Sequence, residues 1–220
     1  MHNVRYEELR PEELAAARDA ASVVYFPIGS LEFHGRHLPV GLDAMDAYEV
    51  CLRAAQHAGG VVLPVTYWGT TGHDGYPGSL LLGKDTIAAL VGDVLLRLTE
   101  QGYRLIVTCT GHYPTVQGAL MKEVAAAHMD ARPEARVLCL DVCNLCPGDE
   151  RLTEHAGYFE TSIMLHIRPD LVVMSELSHP DALDAIAPDC VDATEEYGRR
   201  RMATAVGEMV RLVREALGEL

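Results

Sequence analysis

Basic residues are scarce in this 220-residue chain: Lys and Arg number 18 against 32 Asp and Glu, a formal net charge of −14. A field of that sign repels phosphate backbones and anionic headgroups, so neither nucleic acid nor a membrane surface is an expected partner. Long apolar runs are also absent, and none approaches the ~20 residues that a membrane-crossing helix needs. The opening MHNVRYEELRPEEL is charged and helix-like, without the apolar stretch of a secretory signal. The expectation is a cytoplasmic protein whose six cysteines stay reduced. Cys143 and Cys146 form a C-x-x-C with Cys139 close by, but no second C-x-x-C completes a four-thiolate zinc site. Repeats, low-complexity tracts and linkers are missing, which leaves a single domain over residues 1–220 as the expected organisation.

What is present suits a globular core, since 49% of residues are hydrophobic. VVYFPIG (23–29) reads as a buried strand, and DAMDAYEVCLRAAQHAGG as a helix with Asp43 as its N-cap and Gly59-Gly60 as its stop. VVLPV (61–65) is a second expected strand, 84–102 a helix, YRLIVTCTG (103–111) a third strand and 115–129 a helix. ARVLCLD (135–141) and 155–167 supply a fourth strand and another helix. From about Asp192 onward, Met202, Val206, Met209, Val210, Val213 and Leu217 share one face of an amphipathic helix. Strand and helix thus alternate four times, which predicts an α/β fold: a mainly parallel sheet flanked by helices on both faces.

In such a sheet the loops after the strands gather at one edge. Glu32 and His34 follow the first strand, His73 and Asp74 the second, His112 the third, and Glu154, His155 and Glu160 the fourth. Glu32 and His34, at i and i+2, project to the same side of an extended segment. Asp43 at a helix start has a carboxylate free to bridge two ions, and Gly111 lets the chain bend sharply before His112. Imidazole and carboxylate groups hold Zn²⁺, Mn²⁺ or Fe²⁺, and five such ligands suit two ions better than one. Spacing alone leaves a second reading open, in which each is an isolated polar loop residue, because Glu-x-His by itself has little specificity.

The stretch PIGSLEFHGRHLPVGLD resembles the signature Gly-Ser-x-Glu-x-His-Gly-x-His-Leu-Pro-x-x-x-Asp of the creatininase (creatinine amidohydrolase) family. GYPGSLLLG is similar to that family's Pro-Gly-Thr segment, GYRLIVTCTGHY to its strand ending in Asn-Gly-His, and EHAGYFETS to its His-Ala-Gly-x-x-Glu-Thr-Ser block. These four blocks run in order from about Tyr25 to Val173. The resemblance implies a creatininase-like three-layer fold, two divalent metal ions, hydrolysis of an amide-type C–N bond, and a homo-oligomer, commonly a hexamer. By position it makes Glu32, His34, Asp43 and His112 metal ligands, with Asp43 bridging. Glu154 and His155 match the proton-transfer pair, and Glu160 is assigned as the remaining ligand. The implied chemistry is attack of a metal-activated water on a carbonyl, with His155 giving a proton to the departing nitrogen.

Departures from the pattern narrow the substrate. Where creatininase has a carboxylate two residues after the strand-three histidine, this chain has Pro114, which either makes Glu160 its natural substitute or leaves one metal weakly held. The sole tryptophan is Trp68, and the loop CNLCPGDERLT before Glu154 holds no aromatic residue. Creatinine is therefore disfavoured, and another small-molecule amide, cyclic amide or formamide is expected. Tyr113, His73, Asp74 and Ser79 are the expected substrate contacts, with backbone N–H groups near Gly78 and Ser79 facing the oxyanion. His37 is expected to hydrogen-bond within its own loop. Two alternatives stand beside this reading: a peptide-trimming enzyme of the mycofactocin-maturation type, and a catalytically silent relative that only binds ligand.

Overall fold

The computed structural model of the chain describes residues 3–148 and 155–218. Four parallel strands form one sheet: β1 (Val23–Ile28), β2 (Val61–Val62), β3 (Leu105–Thr110) and β4 (Arg136–Asp141), in the order β2-β1-β3-β4. Six α-helices accompany them among the described residues: α1 (Pro11–Ala20), α2 (Leu42–Ala58), α3 (Lys84–Glu100), α4 (Thr115–Ala131), α5 (Tyr158–Ile167) and α6 (Glu195–Gly218). None of these is long and apolar enough to cross a membrane.

β1, β2 and β3 are buried on both faces and read as continuous apolar runs, whereas β4, at the sheet edge, is mostly half-buried. Along β1 the side chains alternate. Val23 and Tyr25 join a core with Val50 of α2 and with Met202 and Met209 of α6. Val24, Phe26 and Ile28 join a second core with Ile87, Val91 and Leu95 of α3 and with Leu120 and Met121 of α4. The amphipathic C-terminal face is thereby accounted for: Met202, Val206, Met209 and Val213 are buried as α6 packs on α5 and α2. The architecture is the expected three-layer α/β sandwich.

Several element boundaries differ from the sequence reading. α5 begins at Tyr158 rather than at 155, leaving His155 in the turn before it, and α6 begins at Glu195. Two further differences have a clear physical reason. The second strand spans only Val61–Val62, because Pro64 has no N–H to give to a ladder; Leu63 and Thr66 still donate to the Tyr25 and Pro27 carbonyls. Asp43 is not the N-cap of α2. Gly41 holds that position, and the helix starts at Leu42, whose N–H reaches the Pro39 carbonyl. Asp43 is freed from capping and turns inward from the first turn.

The topology creates a crevice above β1 and β3. These strands are neighbours with residues 23–28 in register with 105–110, yet β1 leads into α2 on one face and β3 into α4 on the other. The space outside their carboxyl ends is the switch point where ligands of doubly wound sheets bind. Glycines set how closely α2 approaches it. A Cβ on Gly29 would lie 2.1 Å from the Ala44 nitrogen, and one on Gly111 would lie 2.1 Å from the Asp43 carbonyl oxygen. Gly111→Ala is expected to destabilise the protein by about 1–3 kcal/mol, the range for overpacking. Gly118→Ala on α4, where a Cβ would meet nothing within 4 Å, should be neutral or stabilising. Thermal unfolding of both variants checks this, and an unchanged midpoint for Gly111→Ala would contradict the close approach.

Candidate metal centre

Five side chains from four segments meet in this crevice. Glu32 and His34 come from the loop after β1, which closes on itself through the Glu32 N–H to the Val40 carbonyl, 2.9 Å. Asp43 comes from the first turn of α2, His112 from the turn after β3, and Glu160 from the first turn of α5. All five are at most 3% exposed. Three carboxylates so buried need compensating positive charge.

Their geometry specifies how that charge is to be placed. Asp43 Oδ1 lies 2.9 Å from His34 Nε2 and Asp43 Oδ2 lies 2.9 Å from His112 Nδ1. His34 also faces Glu160 Oε2 at 3.9 Å, and His112 Nδ1 faces Glu32 Oε2 at 3.0 Å. Two groups of potential ligand atoms result, Glu32–Asp43–His112 and His34–Asp43–Glu160, each with its atoms within 4.8 Å of one another and with Asp43 in common. A third, Glu32–His34–His155, overlaps both.

The remaining hydrogen bonds fix the tautomers. His34 Nδ1 lies 3.0 Å from the Glu32 carbonyl, and His112 Nε2 lies 2.7 Å from the Thr71 carbonyl. A carbonyl only accepts, so those nitrogens carry the protons. The other ring nitrogen of each histidine then aims a lone pair at carboxylate oxygens, and His34 Nε2 is buried with no hydrogen-bond partner. A lone pair facing a carboxylate is repulsive unless a cation or a second proton lies between them. Without an ion, protons fill that role. Burial pulls both imidazoles down, but Asp43 and Glu160 raise His34 to about 9, and Asp43 and Glu32 raise His112 to about 10. Burial raises Glu32, but His112 and His73 outweigh it and bring its carboxyl to about 2. Burial and the neighbouring Asp43 push Glu160 up to about 7, against the pull of His34. The donor set, two imidazoles and three carboxylates, fits divalent ions with borderline or hard character.

Supporting contacts lock the ligands in place. Glu32 Oε1 accepts from the His73 backbone N–H at 2.7 Å and from His73 Nδ1–H at 2.9 Å. Glu160 Oε2 accepts from the Ala156 N–H, and Ser30 Oγ donates to Asp43 Oδ2 at 2.6 Å. His155 stacks on His73 with ring centroids 3.9 Å apart, and its Nε2–H donates to the Phe33 carbonyl at 2.6 Å. Its Nδ1 is left with a lone pair. Burial and the nearby His34 lower His155 to about 4.

The ligand groups form one wall of a cavity of about 720 Å³, lined also by Tyr113, His73 and His155, by α4 and by the turn after β4. Tyr113 donates its hydroxyl to Asp46 Oδ2 at 3.3 Å. His73 lines the cavity but spends its Nδ1–H on Glu32. Asp74 is exposed and does not line the cavity, and Ser79 Oγ accepts from the Phe33 N–H at 2.9 Å, also away from it. Glu154 lies outside the described residues. His37 leaves its own loop to donate to Thr161 Oγ1 of α5 at 3.0 Å, contrary to the sequence reading, because the hydroxyl already donates to the Ala156 carbonyl and so accepts here. Trp68 packs edge-on against Phe26, 5.9 Å between centroids, in the α3–α4 core rather than over the cavity.

Sequence reasoning did not find Ser30 or Asp46. Asp46 is fully buried one turn after Asp43, with Oδ1 unpartnered, and burial plus Glu160 push it up to about 8. Its i, i+3 spacing from Asp43 was the available signal. Ser30, two residues before Glu32, had none beyond proximity.

The family model described as creatinine amidohydrolase matches residues 7–213. The creatinine amidohydrolase of Pseudomonas putida is 29% identical over 196 residues, 78% of this chain and 74% of that one. A mycofactocin precursor peptide peptidase of Mycolicibacterium smegmatis is 33% identical over 162 residues, 70% of this chain; the match spans 62% of the relative's length. A crystal structure of creatinine amidohydrolase superposes with a TM-score of 0.86 at 24% identity, covering 99% of both chains. The chain belongs to the creatininase family and is an amidohydrolase that cleaves a C–N bond.

Proposed function

We propose that the chain holds two divalent ions, one on Glu32, Asp43 and His112 and the other on His34, Asp43 and Glu160, and hydrolyses the amide of a small molecule. The observation that carries this reading is the pair of 2.9 Å approaches from the two oxygens of Asp43 to lone-pair nitrogens on two different histidines. Solved creatininases titled with manganese and with a Zn–Zn pair support ions of this kind. When bound, such a pair lowers the pKa of water toward neutrality and polarises a carbonyl oxygen.

The chain's own residues do the rest. His155, neutral at pH 7 and fixed by the Phe33 carbonyl, presents Nδ1 as a base. It takes a proton from the attacking water and returns it to the nitrogen as the C–N bond breaks. Glu154, next in sequence, is proposed to orient or relay that proton. Tyr113, held by Asp46, contacts the substrate from the cavity wall. None of the six cysteines forms a disulfide, which fits a cytoplasmic location, and Val173, Leu183 and Val191, apolar and exposed, fit coverage by another copy. A peptide substrate is the second reading, favoured by the 33% identity to a peptide peptidase and by the run of α4 residues from Thr115 to Lys122 along the cavity lining.

Three measurements test this. Elemental analysis of purified protein should find near two metals per chain in the wild type, one in Glu160→Gln, and fewer than one in Asp43→Asn; an unchanged count in Asp43→Asn would remove the bridge. His155→Gln should keep its metal yet lose roughly 10²–10⁴-fold in kcat against whichever cyclic amide, formamide or short peptide the wild type cleaves. A full-rate variant would remove His155 from proton transfer.

The third is the pH dependence of stability. Glu32, at about 2 rather than 4.5, adds stability above pH 4.5 that is lost as pH falls toward 2. His34 and His112, raised from 6.5 to about 9 and about 10, add stability below pH 6.5 that is lost as pH rises through those values. Chelated protein should therefore lose thermal stability between pH 7 and about 10, while Zn²⁺-saturated protein should not, because ligands bind metal deprotonated. Identical slopes with and without chelator would contradict a shared site for protons and metal.

A further inference from the structure

The metal end of the cavity accounts for cleavage but not for which amide enters. The cavity is also lined by one face of α4, formed by Thr115, Gly118, Ala119 and Lys122 at i, i+3, i+4 and i+7. Gly118 and Ala119 leave this wall shallow, and a Cβ on Gly118 would meet nothing within 4 Å. A trough therefore runs along the helix from His112 and Tyr113 to Lys122. Seven residues at 1.5 Å per residue separate Thr115 from Lys122, about 10 Å of helix. The lysine side chain leans back toward the helix N-terminus and so over the trough.

Lys122 stands out chemically. The chain has two lysines, the other being Lys84, and Lys122 is the one permanently cationic side chain lining the cavity among the described residues. Despite the net charge of −14, no described carboxylate forms an ion pair with it. The nearest candidate on the cavity wall, Asp141, is already taken: it accepts from the Asn144 backbone N–H at 2.7 Å and from the Asn144 side-chain amide. An exposed lysine that lines the cavity with no ion-pair partner among the described residues, in a protein with acid to spare, is a point charge left for a ligand.

We propose that Lys122 anchors a carboxylate on the substrate, so that the amide being hydrolysed belongs to an acyclic molecule carrying that carboxylate within about 10 Å of the metal end. One ammonium, with no guanidinium or second lysine beside it on the described wall, matches a monoanionic carboxylate better than a phosphate dianion. The carboxylate is that of a small ω-amido acid or the C-terminus of a short peptide. The inference rests on the amide-hydrolase reading of the same cavity, but it concerns binding rather than bond cleavage.

The test is calorimetric binding to the full chain loaded with Zn²⁺. The probes are the linear monoamides from succinamate to suberamate, each beside its neutral diamide, and triglycine beside its C-terminal amide. At the best-fitting length the acid should bind about tenfold more tightly than the amide, the scale of one charge-assisted hydrogen bond. Lys122→Met should abolish that preference and Lys122→Arg should keep it. Gly118→Leu, which fills the trough, should weaken the longer acids without lowering the unfolding midpoint. Tighter binding of triglycine than of any ω-amido acid would assign the carboxylate to a peptide, and the reverse order to a small acid. Equal binding of acid and amide by the wild type, or a preference that survives in Lys122→Met because the carboxylate sits on the metals, overturns the subsite. Hydrolysis is read separately: charge-selective binding with no cleavage of any bound amide would defeat the hydrolase reading and leave the subsite intact.

Discussion

Asp43 is the group on which the rest of the site depends. Its carboxylate is 1% exposed and sits between two imidazoles, with Ser30 donating to one of its oxygens. An isolated carboxylate in that position would cost several kcal/mol. The position exists because α2 begins over the ends of β1 and β3, where Gly29 and Gly111 have no Cβ to hold it off. Backbone packing and site chemistry are thus one constraint. A shift of α2 by an ångström would take both Asp43 oxygens away from their partners together, since both belong to one rigid group.

The other ligands are held by a second tier of contacts, most of them to backbone. Carbonyls of Glu32, Thr71 and Phe33 fix the protonated nitrogens of His34, His112 and His155, and the Ala156 N–H fixes Glu160. This arrangement leaves each donor atom no choice of direction, which is what makes a metal site preformed rather than assembled on binding. It also demands unusual backbone. Of three non-glycine residues with positive φ among those described, Thr71 and Ala156 flank the site, one presenting its carbonyl to His112 and the other its N–H to Glu160. Strain of this kind persists where surrounding contacts over-determine it.

The sequence made some of this legible and not the rest. Alternating apolar strands and periodic helices specify the layers, and parallel strands oblige their following loops to share an edge; Glu32, His34, His112 and Glu160 could be grouped from that alone. Asp43 is legible as a site residue but reads equally as a cap, because a carboxylate at a helix start has two competing uses and only the glycines beneath decide between them. His73 was visible as a site residue, yet its bond to Glu32 depends on how the 69–73 loop folds back, which no periodicity encodes. The carbonyls that set the tautomers are invisible in principle, since every residue has one. Asp46 shows a different limit: helical spacing puts it on the Asp43 face, but nothing local says that its hydroxyl partner is Tyr113, 67 residues away.

The division of labour in the cavity follows from electrostatics. With the proposed pair of divalent ions bound, three carboxylates would come close to cancelling their charge, so the metal end would offer a reacting amide little net charge with which to discriminate. Selection would then come from the α4 wall. There the chain differs from an enzyme built around a small planar ring: its tryptophan is committed to the core against Phe26, and its helix wall is stripped to Gly118 and Ala119. A shallow apolar floor rewards length rather than ring stacking, and a single cation at its end rewards an anionic terminus. Both features lie on α4, which hangs from β3 by the same turn that carries His112 and Tyr113. On the proposed reading, the turn that carries His112 therefore also leads into the helix that would measure the substrate. The distance between cleavage and recognition is set by a helix pitch rather than by a mobile loop.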